Sequence, residues 1–184
     1  MNNKIIVFFI LFFFSCNSDY TPKPKAFFKL NLPQKEYSIL EANCPFLFKF
    51  PIYSNVVFEE NSCFMNLVFT EQDAVLYLSY FHLNNNLESH TKRANELAYH
   101  YNLKATNIKE KLYNNDSLSV YGVLYDYHGI TAASTQFYLT DSLNHFFRGA
   151  LYFNKEITDS ILPTNLFLKY DIKYLIESFR WRGM

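Results

Sequence analysis

A cysteine follows a short apolar run near the start of the chain. The sequence begins with Met-Asn-Asn-Lys, is apolar over residues 5–14 and then reads Ser15-Cys16. The run has the length of a secretory signal core, whereas a membrane-spanning helix needs about 20 residues. A small residue directly before a cysteine is typical of bacterial lipoprotein signals. In such proteins the thiol of this cysteine is acylated with fatty acids such as palmitate. We predict that residues 1–15 are a signal peptide and Cys16 the lipidated mature N-terminus; an ordinary signal peptide and an uncleaved anchor are the alternatives.

Acylation determines where the folded part works. Each buried CH₂ group contributes about 0.8 kcal/mol, and a single chain binds a bilayer only marginally. Two or three chains on Cys16 hold the protein to a lipid bilayer permanently, outside the cytoplasm. Residues 17–19 read Asn-Ser-Asp and carry one acidic residue. A single acidic residue after the cysteine does not strongly indicate export to the cell surface. We therefore expect an outer-membrane lipoprotein that faces the periplasm.

Two further cysteines, Cys44 and Cys63, form an even pair. In an exported protein such a pair is most simply a disulfide. Closing a loop of this length is worth about 3 kcal/mol in the chain-entropy model. Two free buried thiols are the alternative. Metal binding is disfavoured because neither cysteine belongs to a C-x₂-C pair or lies near a histidine.

A group of polar residues in the second half of the chain has the composition of a hydrolase site. Its members are Asp126, His128, Ser134, Asp141, Ser142 and His145. No G-x-S-x-G elbow surrounds either serine. Asp141 and Ser142 fall between two predicted strands, where such side chains cap backbone groups. We therefore predict a turn, no catalytic residue and, because no H-x-H or H-E-x-x-H pattern occurs, no metal or cofactor.

Composition limits the function classes. The 184 residues carry 17 basic and 17 acidic side chains, so the net charge is zero. A near-neutral chain has no electrostatic case for binding nucleic acid. Aromatic residues make up 20% of the chain, which favours sheet over helix. The length after signal removal suits a single domain.

The prolines separate a tether from a folded domain. Pro22, Pro24 and Pro33 lie in the predicted lipidated tether, residues 16–36, which should be extended. The single domain is predicted to span residues 37–184. Alternating and helical patterns predict its elements in order: strands over 45–51, 56–59, 63–70 and 74–82, a helix over 87–101, strands over 105–113, 118–128, 133–141 and 145–154, and a final helix that ends near 180.

This order predicts an α+β fold with a mainly antiparallel sheet flanked by two main helices. The strand over 74–82 is apolar on both faces, so we expect it to be covered on both sides. Pro163 suits the first turn of the final helix. The buried stripe of that helix is predicted to comprise Leu168, Ile172, Leu175 and Phe179.

Arg148 lies in the aromatic strand Phe-Phe-Arg-Gly-Ala-Leu-Tyr-Phe. A charge in such a strand needs a partner or access to water. Asp126 and Glu177 are candidate partners, and a side chain that reaches past the sheet edge is the alternative. Tyrosines suit interfaces because they combine apolar area with a polar tip. A core that is rich in tyrosine would give the same sequence pattern and is the alternative. We predict that the partner-binding residues are Tyr125, Gln136, Tyr138, Asp141, His145 and Arg148.

Several clusters, in the right order, resemble the gliding motility lipoprotein GldD family of the Bacteroidota. They are Cys44-Pro45, Tyr77-Leu78-Ser79-Tyr80, Tyr121-Gly122, Tyr125, Gly129, Ala133-Ser134, Gln136-Phe137-Tyr138, Thr140-Asp141-Ser142, His145-Phe146, Gly149-Ala150-Leu151-Tyr152-Phe153 and Asp159-Ser160-Ile161-Leu162-Pro163. The resemblance covers essentially the whole mature chain. In pattern alone, the element order and the ending Leu175-Ile176-Glu177-Ser178-Phe179 are similar to the PsbP-like α-β-α sandwich.

The family resemblance implies a cell-envelope lipoprotein required for gliding and for type IX secretion. It also implies partnership with other gliding lipoproteins, notably GldJ, and it implies no catalytic residue or cofactor. We therefore predict a non-enzymatic assembly or stabilising factor that acts through protein–protein contacts. A lipoprotein that binds a small ligand between sheet and helix is the first alternative, and a hydrolase is the second.

Overall fold

The structure is a computed structural model that describes residues 31–100, 105–129, 131, 133–158 and 160–183. The predicted signal peptide, Cys16 and most of the predicted tether lie outside these ranges. The predicted end of the first helix, at residue 101, lies outside them too. Within them, the packed part of the chain begins by Lys35, whose side chain contacts the final helix.

The described elements agree closely with the sequence pattern. In chain order they are β1 (Tyr37–Ile39), β2 (Phe46–Leu47), β3 (Lys49–Pro51), β4 (Asn55–Phe58), β5 (Met65–Phe69), β6 (Ala74–His82), α1 (Leu87–His100), β7 (Ala105–Asn115), a 3₁₀ turn (Asp116–Leu118), β8 (Val120–Gly129), β9 (Ala133–Thr140), β10 (His145–Phe153), α2 (Leu162–Ser178) and β11 (Arg180–Trp181). Strand β6 has the predicted bounds, and β9 and β10 each end one residue early.

An antiparallel sheet of seven strands, in the order β4-β5-β6-β10-β9-β8-β7, forms the centre of the fold. Two short strand pairs, β1 with β3 and β2 with β11, lie outside it. Helix α1 packs on one side of the sheet, and α2 packs on the other with the short strands. These sides are called the α1 side and the α2 side. The predicted α+β fold with a mainly antiparallel sheet and two main helices is confirmed.

The main apolar core lies on the α2 side. The four predicted residues of the stripe are buried there as expected, and Pro163 lies in the first turn of the helix. The helix ends at Ser178, two residues before the predicted end, so Phe179 follows it in extended conformation. The short strands add a phenylalanine cluster whose ring centroids lie 4.7 Å apart for Phe46 and Phe147 and 5.0 Å apart for Phe147 and Phe179. Aromatic pairs at such distances are worth about 0.5–1.5 kcal/mol beyond the area that they bury.

The predicted strand over residues 45–51 is wrong as a single element. It divides at Phe48 because the chain changes its pairing partner there. Strand β2 pairs with β11, and β3 pairs with β1. The backbone oxygen of Phe48 accepts a hydrogen bond from the Leu40 amide, and its ring is buried in the core.

A disulfide joins Cys44 and Cys63, whose Cα atoms lie 5.8 Å apart. Cys44 comes shortly before β2, and Cys63 shortly before β5. The bond therefore ties the short strands of the α2 side to the main sheet.

Buried polar side chains fix α2 in place. Asn165 is bonded to Ser134 of β9, and Lys169 is paired with Asp126 of β8. On the neighbouring surface of α2, the buried carboxylate of Asp171 accepts hydrogen bonds from Lys35, Tyr37 and Tyr53. Helix α2 is thus held to the sheet and to the β1–β3 pair by polar groups as well as by apolar contacts.

We expect this arrangement to make stability fall at alkaline pH. Burial, together with the hydrogen bond to Asp171 and its negative charge, raises the pKa of Tyr37 and of Tyr53 above the ordinary value of 10.0. A raised folded-state pKa gives stability that is complete below the unfolded value and is lost as pH rises beyond it. The free energy of unfolding should therefore decline above about pH 10.

Urea unfolding from about pH 8 to about pH 12 measures this decline. In Tyr53→Phe one of the phenol groups is removed, so the alkaline slope should be shallower, although the variant starts from a lower stability because its hydrogen bond is lost. Identical slopes in the two chains would contradict the assignment.

Candidate functional site

Helix α1 covers only one part of its side of the sheet. Its small residues allow a close approach: Ala98 packs on Tyr125 and Tyr127 of β8, and Ala94 packs on Phe146 of β10. The helix therefore lies over β8, β9 and β10. The other half of this side, towards the edge strand β4, lies beyond the helix.

The uncovered region explains why the expectation of two-sided cover for β6 is fully correct on the α2 side only: on the α1 side the helix reaches this strand at Phe81, which contacts His90. On the α1 side, Tyr77 is 48% exposed and Val57 of β4 is about as accessible. We call this region the open face and define it by Val57, Asn66, Tyr77, Ser79 and Arg148. The sequence pattern missed Tyr77 and Val57, although the odd-numbered residues of β6 already mark one face of that strand.

Strand register places these residues in two neighbouring rows. In the first row Val57 lies opposite Asn66, and Asn66 lies opposite Tyr77. In the second row Ser79 lies opposite Arg148. Directly opposed residues of antiparallel strands share one face of a sheet, so the open face is continuous from the edge strand to β10.

Arg148 lies where the open face meets α1. Its Nη2 donates to Oε1 of Gln136 at 2.7 Å, and Nε2 of Gln136 donates to the backbone oxygen of Leu97 in α1. Burial lowers the pKa of Arg148. Among the described residues, no carboxylate lies within ion-pair distance of this guanidinium.

The predicted explanations for Arg148 are corrected by this geometry. Asp126 is paired with Lys169 on the α2 side, and Glu177 belongs to α2 itself. Both carboxylates therefore lie across the sheet from Arg148. The alternative, that the Arg148 side chain reaches water past an edge of the sheet, is wrong as well, because β10 is the central strand of the seven.

The predicted tyrosines lie beside Arg148 on the α1 side. Tyr125 donates to Oδ1 of Asn95 in α1, and the Tyr138 ring stacks on Phe146 with centroids 5.2 Å apart. Tyr127 is buried, and its hydroxyl has no hydrogen-bond partner among the described residues. Burial raises the pKa of both Tyr125 and Tyr127. Tyr125, Gln136, Tyr138 and Arg148 are thus brought together as one polar and aromatic group.

Asp141 and His145 lie apart from this group, at the β9–β10 hairpin. Oδ1 of Asp141 accepts backbone amide hydrogen bonds of 2.8 to 3.0 Å from the three residues Leu143, Asn144 and His145. The Nδ1 atom of His145 lies 2.8 Å from the Tyr80 hydroxyl, and its ring stacks on Trp181 on the α2 side. Both side chains are engaged in holding the hairpin.

The arrangement required by the hydrolase alternative is not found among the described residues. Ser134 is bonded to Asn165, and Ser142 lies in the hairpin with φ of 70°. The part of the chain that the structure describes also places no three metal-ligating side chains together.

A depression of about 450 Å³ lies on the open face. Val57, Asn66, Tyr77 and Ser79 line it, as do Phe58, Glu59, Phe64, Met65 and Leu78. It joins Arg148 through Ser79, which lies directly opposite on the neighbouring strand. Arg148 is therefore a neighbour of the depression on β10 and not one of its lining residues.

Comparison with known proteins gives one match. A family model described as gliding motility lipoprotein GldD matches residues 17–181, nearly the whole chain. No curated protein and no solved structure matches. Within the described ranges, neither helix has the length and apolar character needed to cross a membrane.

Proposed function

The chain belongs to the gliding motility lipoprotein GldD family, and from this membership we propose that it is a non-enzymatic assembly or stabilising factor that binds other proteins of the cell envelope. The family makes it a membrane-anchored lipoprotein of gliding motility. The proposal adds a role in type IX secretion, acylation at Cys16 and a position on the periplasmic side of the outer membrane. Other gliding lipoproteins such as GldJ are the proposed partners.

The observation that carries the proposal is the open face. It presents exposed aromatic and aliphatic side chains beside a half-buried guanidinium, on a sheet whose other side carries the main apolar core. A contiguous patch of this kind, rimmed by polar residues, is typical of an interaction site. Tyrosine and arginine are the side chains that most often contribute strongly to binding at interfaces.

The engagement of the polar side chains in structural bonds supports a non-enzymatic role. Ser134 is bonded to Asn165 of α2, the Asp141 carboxylate accepts backbone amides of its own hairpin, and the His145 ring contacts Tyr80. The ligand-binding alternative expects a large aromatic pocket beside Arg148, and the depression found there is lined by both polar and apolar residues of an open sheet face.

Photocrosslinking in living cells tests the proposal. A benzophenone amino acid replaces Tyr77 on the open face or, as the matched control, Leu112, which is 74% exposed on the same side of the sheet at its opposite edge. We expect the Tyr77 site to capture GldJ or another gliding lipoprotein and the Leu112 site to capture neither.

A charge on the open face should also impair function. Tyr77→Asp should reduce gliding and secretion and lower stability only modestly, because the half-exposed ring loses one edge contact, with Tyr152 at 5.7 Å, and such a pair is worth about 0.5–1.5 kcal/mol. Leu112→Asp should leave both activities intact. Normal gliding in Tyr77→Asp cells, together with no captured partner, would overturn the proposal.

A further inference from the structure

The charge of Arg148 is not neutralised within the described part of the chain. A guanidinium has five N–H donors in a fixed fork, and Gln136 accepts from one of its nitrogens. Gln136 is a neutral partner, and its own amide is directed at Leu97 of α1. A half-buried charge without an opposite charge costs free energy, so the site is electrostatically incomplete.

The surroundings of Arg148 increase its preference for an anion. Arg93 of α1 lies close enough to add positive potential at the guanidinium. Arg93 itself forms an exposed ion pair with Glu96, with a distance of 3.5 Å between Nη1 and Oε2. The Tyr152 hydroxyl is hydrogen-bonded to the guanidinium, and the Tyr127 hydroxyl, buried and unpartnered among the described residues, also lies near it. Every identified neighbour is therefore a cation or a neutral hydroxyl or amide.

The depression determines the shape of what could bind. Neighbouring strands lie about 4.8 Å apart, so the path from Arg148 on β10 across β6 and β5 to β4 is about 14 Å long. An extended chain covers that distance in about four residues. Glu59, the acidic residue that lines the depression, lies beyond β4 at the far end of this path. An acidic ligand would be favoured at the Arg148 end and disfavoured at the Glu59 end.

We propose that the open face binds a short extended segment of a partner protein, with an aspartate or glutamate side chain paired to Arg148 and an apolar side chain on Tyr77. This deepens the proposed function and rests on it. A side chain fits better than a chain end, because the capture of a terminal carboxylate uses free backbone N–H groups. Around Arg148 the backbone of β10 is paired on both sides, with β6 and with β9.

The test uses the membrane-bound full chain with the benzophenone at position 77. Arg148→Met removes the charge and keeps an apolar stem, Arg148→Lys keeps the charge, and Lys92→Met is a control that removes an exposed charge from α1. We expect the crosslink to the partner to fall at least about tenfold with Arg148→Met, which corresponds to about 1.4 kcal/mol. Most of the crosslink should be retained with Arg148→Lys and all of it with Lys92→Met.

Mapping the crosslinked peptide provides the second measurement. We expect an aspartate or glutamate within about four residues of the attachment point. Charge reversal then tests the pair directly: Arg148→Glu should abolish the crosslink, and replacing that acidic residue of the partner with lysine should restore it. Restoration also shows that the Arg148→Glu chain is folded.

The outcomes separate this inference from the function on which it rests. Capture of the partner in undiminished yield by Arg148→Met, or a mapped segment without an acidic residue, would overturn the carboxylate pairing and leave the binding face intact. If Arg148→Met cells lost gliding while the crosslink was unchanged, Arg148 would be assigned to the binding of a small anion. That result would also overturn the carboxylate pairing. Absence of any capture from position 77 in the otherwise unchanged chain would overturn both.

Discussion

Removing the acylation site should release the mature protein from membranes and abolish its function. A chain with Cys16→Ala has no thiol to acylate, and each lost acyl CH₂ removes about 0.8 kcal/mol of membrane binding. We expect the protein to move from the membrane pellet to the soluble fraction and gliding to stop.

The design must keep the signal peptide from acting as an anchor. An uncleaved apolar run over residues 5–14 would itself hold the chain to a membrane. The test chain therefore carries residues 17–184 behind an export signal that a different peptidase removes. Only protein of the size expected after signal removal is counted in the membrane and soluble fractions. A control fuses the same residues to the acylated start of another lipoprotein and should restore gliding. Full activity of the soluble form would contradict the tethering part of the proposed function.

Asp126→Ala should cause the largest loss of stability. The Lys169 side chain is 8% exposed, and Asp126, 23% exposed, is its carboxylate partner. Removing the carboxylate leaves a buried ammonium group with one remaining acceptor, the backbone oxygen of Tyr127 at 3.0 Å. Breaking a buried pair from one side costs about 3–5 kcal/mol, so the free energy of unfolding, measured in urea, should fall by that amount.

Two controls identify the uncompensated charge as the cause. Asp126→Ala combined with Lys169→Met should recover most of the loss, because a buried pair can be replaced by apolar groups at little net cost. Glu96→Ala breaks the exposed pair with Arg93 and should cost less than about 1 kcal/mol. A loss of equal size in the double variant would attribute the effect to packing instead.

Local pattern predicted most of the main sheet because its inner strands each have at least one strongly apolar face. Strand β6 has the predicted bounds, and the buried stripe of α2 was predicted residue by residue. The separation of β2 from β3 was not predicted, since β2 pairs with a strand at the far end of the chain while β3 pairs with the nearby β1. Residues 46–47 pair with 180–181, and residues 49–51 pair with 37–39.

The sequence was enough to predict several residues of the candidate site, and it was not enough to predict how they are arranged in space. A charge at Arg148 within an aromatic strand indicates an unusual environment. Its neighbours depend on strand order, which places Gln136 beside it and Asp126 across the sheet. The exposure of Tyr77 depends on where α1 lies, and no local pattern records the position of a helix on a sheet.

Lys35, near the start of the described chain, and the open face lie on opposite sides of the sheet, and this has a mechanical consequence. The chain enters the domain at Lys35, which is fixed to Asp171 of α2. A pull between a membrane and a partner on the open face therefore crosses the full thickness of the domain. Lys35 is joined to α2 by its ion pair with Asp171, and α2 is joined to β8 by the pair of Lys169 with Asp126. Under the proposed function these two ion pairs lie between the membrane anchor and the bound partner, and they share a pulling force with the backbone pairing of β1 and β3.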